Sequence, residues 1–339
     1  MSVTKQKNRI AWIDVMRAMA IVLVLLAHYD GGRLSVFANR ACVQIFFFIS
    51  GMFAFSARYT LPQYIKKQAQ SLLLPYGIFA AANILFYFAF NPSTPLSELA
   101  VYALKFVLAR RNDVMVAAMW FLPCLFFTSI VYKAIATLFK KQIYIVPLCF
   151  VISAVFKLWF EAPVYIFSIN QGFKYLIYIA LGGLLAPYIK NISYDSWAKL
   201  SKKQQFIALL VFMAVIQYIV LMYKRGYVFW PQAIWALSLV YFINVVVCIV
   251  FIMVWALALS KVKPIVWIGQ NTLGFCCLEN ISRALLNTAM AVAGFGFVPD
   301  SEIKALVHVL ASMCIGAAII AVINKICPQI LGKKKINSK

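Results

Sequence analysis

The chain has only two histidines, and one of them closes an unusual stretch. In DVMRAMAIVLVLLAHYD (Asp14–Asp30), ten uncharged residues, Ala18 to Ala27, separate Arg17 from His28. Imidazole is the side chain best suited to moving a proton near neutral pH. A guanidinium matches the geometry of a phosphate. At 3.6 residues per turn, an eleven-residue spacing is almost three turns, so a helix here projects both groups from one face, about 16 Å apart along its axis. Asp14 stands one turn before Arg17 and can pair with it. Ionisable groups inside a membrane mark function by default; the competing reading lets Arg17 snorkel to one interface and leaves His28 in the headgroups of the other.

The elements that must carry these residues are membrane helices. The chain has 339 residues, is 64% hydrophobic and has a mean hydropathy of +0.88. Its apolar stretches repeat at lengths that span a bilayer, which makes it an all-α polytopic membrane protein, read as one integral membrane domain over 1–339 with short tails at about 1–9 and 326–339. Ten spans are expected, near 10–28, 39–57, 70–90, 116–138, 143–158, 173–188, 205–223, 232–259, 264–289 and 303–325. The longest gap, about 91–115, carries a helix in its second half that can lie in the interface. The first span holds Asp14 and Arg17 and lacks a small-residue cleavage site, so it reads as retained.

The formal net charge of +23 would suggest nucleic acid in a soluble protein. Here the positive residues sit in short loops and no basic domain exists, so they signal topology and meet anionic lipid heads instead. With the N-terminus inside, 19 of the 32 Lys and Arg residues fall in cytoplasmic segments and 11 outside, which places both termini in the cytoplasm. The eight cysteines form no CxxC pair and no cluster with zinc spacing, so they read as packing residues and no metal is expected.

These residues also resemble a family. WIDVMRAMAIVLVLLAHYD is similar to the first helix of the acyltransferase-3 family of integral membrane acyltransferases, in which a basic residue and a histidine are separated by ten residues. VQIFFFISGMF (Val43–Phe53) resembles its V-P-x-F-F-x-x-S-G segment, with Gln44 at the usual proline. MWFLPCLF (Met119–Phe126) resembles its W-F-L segment, and IGQNTLGFCCLEN (Ile268–Asn280) its late G-x-x-S/T-L-x-x-Y segment. There are departures. Glu279 stands where a histidine is frequent and Cys276 where a tyrosine is frequent. Lys67 and Gln70 stand where two arginines often precede a proline.

The resemblance implies transfer of an acyl group, usually acetyl, from cytoplasmic acyl-CoA to a hydroxyl of a cell-surface or lipid-linked glycan at the outer face. It implies a multi-pass location in a bacterial inner or plasma membrane, with acetyl-CoA as donor substrate and no permanently bound cofactor. Arg17, with Arg58, Lys66 and Lys67 in the first cytoplasmic loop, would attract the anionic donor. His28 would act as general base or carry the acyl group covalently. Ser50, Trp120 and Asn271 are polar candidates to stabilise the oxyanion or hold the substrate. Glu279 can orient His28, or form an ion pair with Arg283 one turn on. His308 reads as an interfacial or packing histidine. Phe46–Phe48 read as packing, Gly51 as a close helix approach, and Trp120 equally as a sugar platform or an interfacial belt residue. The rival reading is a transporter or flippase of a lipid-linked or small polar substrate; a third is a non-catalytic subunit of a glycan synthase.

Overall fold

The computed structural model describes residues 10–29, 33–54, 59–111, 113–160, 166–192, 198–199, 201, 204, 234–295 and 301–333. Among these, every regular element is helical. The helices are α1 (Ala11–Ala27), α2 (Arg33–Ala54), α3 (Leu61–Phe90), α4 (Glu98–Leu108), α5 (Phe121–Phe139), α6 (Gln142–Trp159), α7 (Ile169–Ile189), α8 (Ile234–Ala258), α9 (Lys263–Gln270), α10 (Thr272–Cys277), α11 (Glu279–Val292) and α12 (Glu302–Ile326).

Among the described residues, six helical segments are long and apolar enough to cross a membrane: Leu61–Phe90, Ala117–Phe139, Gln142–Trp159, Ile166–Ile189, Tyr241–Ala258 and Glu302–Ile326. The expected sixth span is therefore full length rather than short. The first is the 17-residue α1. The second starts earlier than expected, at Arg33, and its stretch Cys42–Ala54 is strongly apolar. The expected seventh span, 205–223, lies outside the described residues. The helix expected in the second half of 91–115 is α4, which begins nearer the middle of that gap.

The ninth span is corrected. It is not one helix over 264–289 but three, α9, α10 and α11. Asn271 takes φ −121°, ψ 16° and Leu278 takes φ −96°, ψ 2°, and the regular helical dihedrals lapse at each, although Leu278 N–H still donates to the Gly274 carbonyl. A broken ladder at membrane depth survives only if its freed polar groups find partners. The buried amide of Asn83 supplies one: it donates to the Cys277 carbonyl at 3.1 Å. α3 shows a milder irregularity, a π-helical turn at Ala69–Leu73. Pro75 follows it. A proline has no N–H and its ring crowds the carbonyl four residues back, here Ser71, so the turn widens.

The chain divides into two compact units, Met1–Met19 with Pro187–Gln270, and Ala20–Ala186 with Asn271–Lys339. In the first unit α9 touches the start of α1. A Cβ on Gly269 would lie 1.7 Å from the Asp14 carbonyl oxygen, so only glycine permits the contact. In the second unit α2 crosses α7 at similar range. A Cβ on Gly51 would lie 1.9 Å from the Ile179 carbonyl oxygen, and one on Gly182 1.9 Å from that of Phe48. Small residues allow such backbone approach where no hydrophobic force drives helices together in lipid. Around the crossing, Phe47 is fully buried and meets Phe121 and Tyr175 at ring-centroid distances of 5.6 and 5.1 Å. The Phe46–Phe48 run is thus core packing.

Candidate functional site

α1 ends at Ala27, and the next two residues close the chain by tightened bonds: His28 N–H donates to the Leu25 carbonyl and Tyr29 N–H to that of Leu26. This presents two consecutive polar side chains at one helix end. Each meets α11 or α12.

His28 Nδ1 and Glu279 Oε1 are 2.5 Å apart. The carboxylate can only accept, so His28 carries a proton on Nδ1, and in the neutral imidazole Nε2 is then the basic lone pair. Nε2 makes no hydrogen bond among the described residues. The imidazole is 30% exposed, whereas the Glu279 carboxylate is 5% exposed. Burying a carboxylate is costly. Two features offset the cost here. His28 donates to it, and it stands in the first turn of α11, where the helix dipole favours negative charge. Glu279 is thus at a helix start, not midway along a helix. Its second oxygen, Oε2, is buried with no hydrogen-bond partner among the described residues. The pairing of Glu279 with Arg283, held open from the sequence, is not formed; among the described residues Arg283 makes no ion pair.

Tyr29 turns to the other histidine. Its hydroxyl donates to His308 Nδ1, and His308 Nε2 donates to Asn287 Oδ1 at 2.8 Å. The direction follows from Asn287: its amide oxygen accepts, so Nε2 bears the proton and Nδ1 is left to accept. His308 is buried, at 4% exposure, and partnered through both nitrogens. It is a hydrogen-bonded member of this site rather than an interfacial residue.

The segment before α5 lies against the start of α11. The Asn280 amide donates to the Met115 carbonyl at 3.0 Å and to that of Val114 at 3.3 Å. Four non-glycine residues with positive φ gather around this segment: Ala109, Ala117, Phe167 and Ser168. Ser168 ties them together. Its hydroxyl donates to the Ala109 carbonyl and accepts from the Arg111 N–H. Such conformations cost about 1 kcal/mol or more each and collect at functional sites. Arg111 lies over the Trp120 ring at 5.6 Å and donates to Gln171 Oε1. Trp120 is buried, with that cation on its face, so it is not an interfacial belt residue.

The remaining sequence candidates lie elsewhere. Asn271 is at the other end of α12 from His308. It accepts from the Lys333 ammonium at 2.5 Å and from the Asn324 amide at 2.8 Å. Asn324 is sixteen residues beyond His308, about 24 Å along the helix. Ser50 lies seventeen residues into α2, about 26 Å from the helix start that follows Tyr29. Neither is brought to His28. Lys66 and Lys67 are exposed in the last turn before the π-helical segment, with Lys67 over the Tyr59 ring. Arg58 lies outside the described residues. Arg17, in the first unit, donates to Asp14 Oδ1 at 3.1 Å, and Gln270 donates to the other oxygen of that carboxylate.

Sequence reasoning missed Tyr29, Asn287 and Asn83. A signal existed for two of them: Asn83 is a lone amide in an apolar span, and Asn287 falls four residues after Arg283 and eight after Glu279 on one helix face. Nothing in the sequence marks Tyr29.

In comparison with known proteins, the chain matches the family model described as an acyltransferase domain over residues 10–325. No curated protein and no solved structure matches it.

Proposed function

The chain belongs to the acyltransferase-domain family, and from that premise we propose that it transfers an acyl group, acetyl in the first instance, from cytoplasmic acyl-CoA to a hydroxyl of a cell-surface or lipid-linked glycan at the outer side of the membrane. One observation supports this reading above the others: the 2.5 Å contact between His28 Nδ1 and Glu279 Oε1, which leaves Nε2 available as a base.

The chemistry balances without a resident cofactor. The acceptor hydroxyl approaches Nε2 and gives up its proton as its oxygen attacks the thioester carbonyl carbon. The C–O bond forms, the C–S bond breaks, and the imidazolium returns the proton to the departing thiolate, releasing coenzyme A as the free thiol. Glu279 holds the imidazole in the required tautomer and stabilises its charged form. A covalent route, in which His28 takes the acyl group first, uses the same atoms. Arg17, Lys66, Lys67 and Arg58 are proposed contacts for the anionic donor on the cytoplasmic side.

The transporter reading has its own support in the interrupted α10–α11 segment, because broken helices line substrate paths in transporters. One assay separates the two. Purified protein in vesicles is given radiolabelled acetyl-CoA and a glycan acceptor. Label on the acceptor, lost in His28→Ala, supports the transferase. Movement of unmodified glycan across the vesicle with no label transferred supports the transporter and removes the proposal.

A further inference from the structure

Glu279, Arg283 and Asn287 follow one another at four-residue intervals on α11. Each step is about 6 Å along the axis and about 40° around it, so the three share one face. The two outer members are fixed. Glu279 bonds His28, and Asn287 bonds His308, which in turn holds Tyr29. Arg283 therefore lies between two points anchored to consecutive residues of one helix end. Its charge acts electrostatically on both Tyr29 and His308. Yet among the described residues it makes no hydrogen bond and no ion pair.

Two more guanidiniums stand on the segment that Asn280 holds beside Glu279. Arg111 is over Trp120, and Arg110 has a buried Nε with no hydrogen-bond partner among the described residues. Neither nearby carboxylate is paired with these guanidiniums, although Glu279 Oε2 has no donor among the described residues. Glu279 receives His28, and Asp113 accepts from the Met115 N–H. Arg283 has no carboxylate paired to it among the described residues, and a guanidinium held between two anchored points suits an anion from outside the chain.

We propose that the acceptor is anionic: the hydroxyl that receives the acyl group belongs to a sugar or glycolipid bearing a carboxylate or phosphate, and Arg283 binds that group while His28 takes the hydroxyl proton. The inference rests on the transferase reading. It adds the substrate class and one binding residue. A bidentate guanidinium contact fixes orientation as well as affinity, so it would set which hydroxyl faces Nε2.

The test uses the full chain in phosphatidylcholine vesicles with saturating labelled acetyl-CoA. Three probes are compared: a neutral gluco-oligosaccharide, an oligogalacturonide, and a glycerol-phosphate oligomer. In parallel, surface glycans from producing and deletion cells are compared by NMR to find which sugar carries the acyl group. The expected result is transfer to one anionic probe with kcat/KM about tenfold or more above the neutral one. That preference is lost in Arg283→Gln and partly restored in Arg283→Lys. The oligogalacturonide and phosphate arms say whether the anion is carboxylate or phosphate. If the probes are not accepted, the NMR result decides: acylation on or beside a charged residue upholds the inference, and acylation within a neutral glycan overturns it. Equal loss on neutral and anionic acceptors in Arg283→Gln also overturns it, because that is the signature of oxyanion stabilisation. His28-dependent transfer with no charge preference sinks the inference and leaves the transferase standing. Absence of His28-dependent acylation in vesicles and cells removes both.

Discussion

The two ends of α12 solve the problem of buried polar groups in opposite ways. At the Asn324 end, Asn271, Asn324 and Lys333 close on one another: the ammonium donates to both amide oxygens, at 2.5 and 2.7 Å, and one amide donates to the other. The C-terminal turn seals this end. Leu331 is buried in contact range of Gly274, and Gly332, in a left-handed conformation, lies beside Ser71 of the π-helical turn. At the His308 end, the groups are ionisable and the pairing is deliberately incomplete. His28 has an open nitrogen, Glu279 a buried oxygen without a donor, and Arg283 no ion pair among the described residues. A satisfied network specifies structure; an incomplete one leaves atoms for a substrate to complete. On the proposed function, the chemistry belongs to the His308 end and the closed cluster at the other end, about 24 Å away along a single helix, is structural.

That contrast can be broken most directly at His28. His28→Ala removes the base with an open nitrogen at its end, and transfer per folded molecule should fall by about 1,000- to 10,000-fold, far more than the loss of about 1–3 kcal/mol in stability from leaving the buried Glu279 carboxylate without its donor would explain. A variant that kept wild-type turnover would dissolve the distinction between the two ends. Glu279→Gln is the next largest. The amide cannot act as a charged acceptor for Nδ1–H, and it can donate, which selects the wrong tautomer. Turnover should fall by about 100- to 1,000-fold, with KM for acyl-CoA near wild type. A change confined to that KM would instead make Glu279 a donor-binding residue.

The opposite pattern is expected at the Asn324 end. Asn271→Leu leaves the Lys333 ammonium without one of its acceptors and should destabilise the protein by about 1–3 kcal/mol. Thermal unfolding in detergent would register the loss as a lowered midpoint, while turnover per folded molecule stays within about twofold. If turnover collapses with no change in midpoint, Asn271 belongs to the chemistry after all and the separation along α12 is wrong.

How much of this was legible in the sequence depends on what each residue's signal was made of. Apolar run length located most helices to within a few residues, because burial in lipid requires length. It failed at 264–289, where the run is apolar enough but the backbone is broken twice. The donors that stabilise the second break come from Asn83, nearly two hundred positions away, and a window along the chain cannot see them. The His28–Glu279 contact was open as one of two partners for Glu279, because local spacing offers Arg283 and only tertiary packing offers His28. Ser50 and Asn271 were drawn in by belonging to similar motifs, and a shared motif says nothing of distance. His308 looked bland because its partners, Tyr29 and Asn287, carry no charge to announce them.

The smallest and most discriminating effect concerns Tyr29. Its hydroxyl does no chemistry in the proposed reaction, but its backbone is the residue after His28, and His308 holds its side chain. Tyr29→Phe removes the donor to His308 Nδ1 and leaves a buried lone pair, at a cost of about 1–3 kcal/mol in stability. If the Tyr29–His308 bond positions His28, turnover should also drop, by about three- to tenfold, with acyl-CoA KM unchanged. A loss of that size alone could be general loosening, so the decisive measurement is the double variant. His308→Phe should reduce turnover by a similar factor, and Tyr29→Phe with His308→Phe should cost little more than either single change, because the two side chains act through one bond. Additive losses in turnover would mean that each residue reaches the site by its own route. The His308 end would then be a collection of separate contacts rather than one connected network, and its contrast with the closed amide cluster would rest on His28 and Glu279 alone.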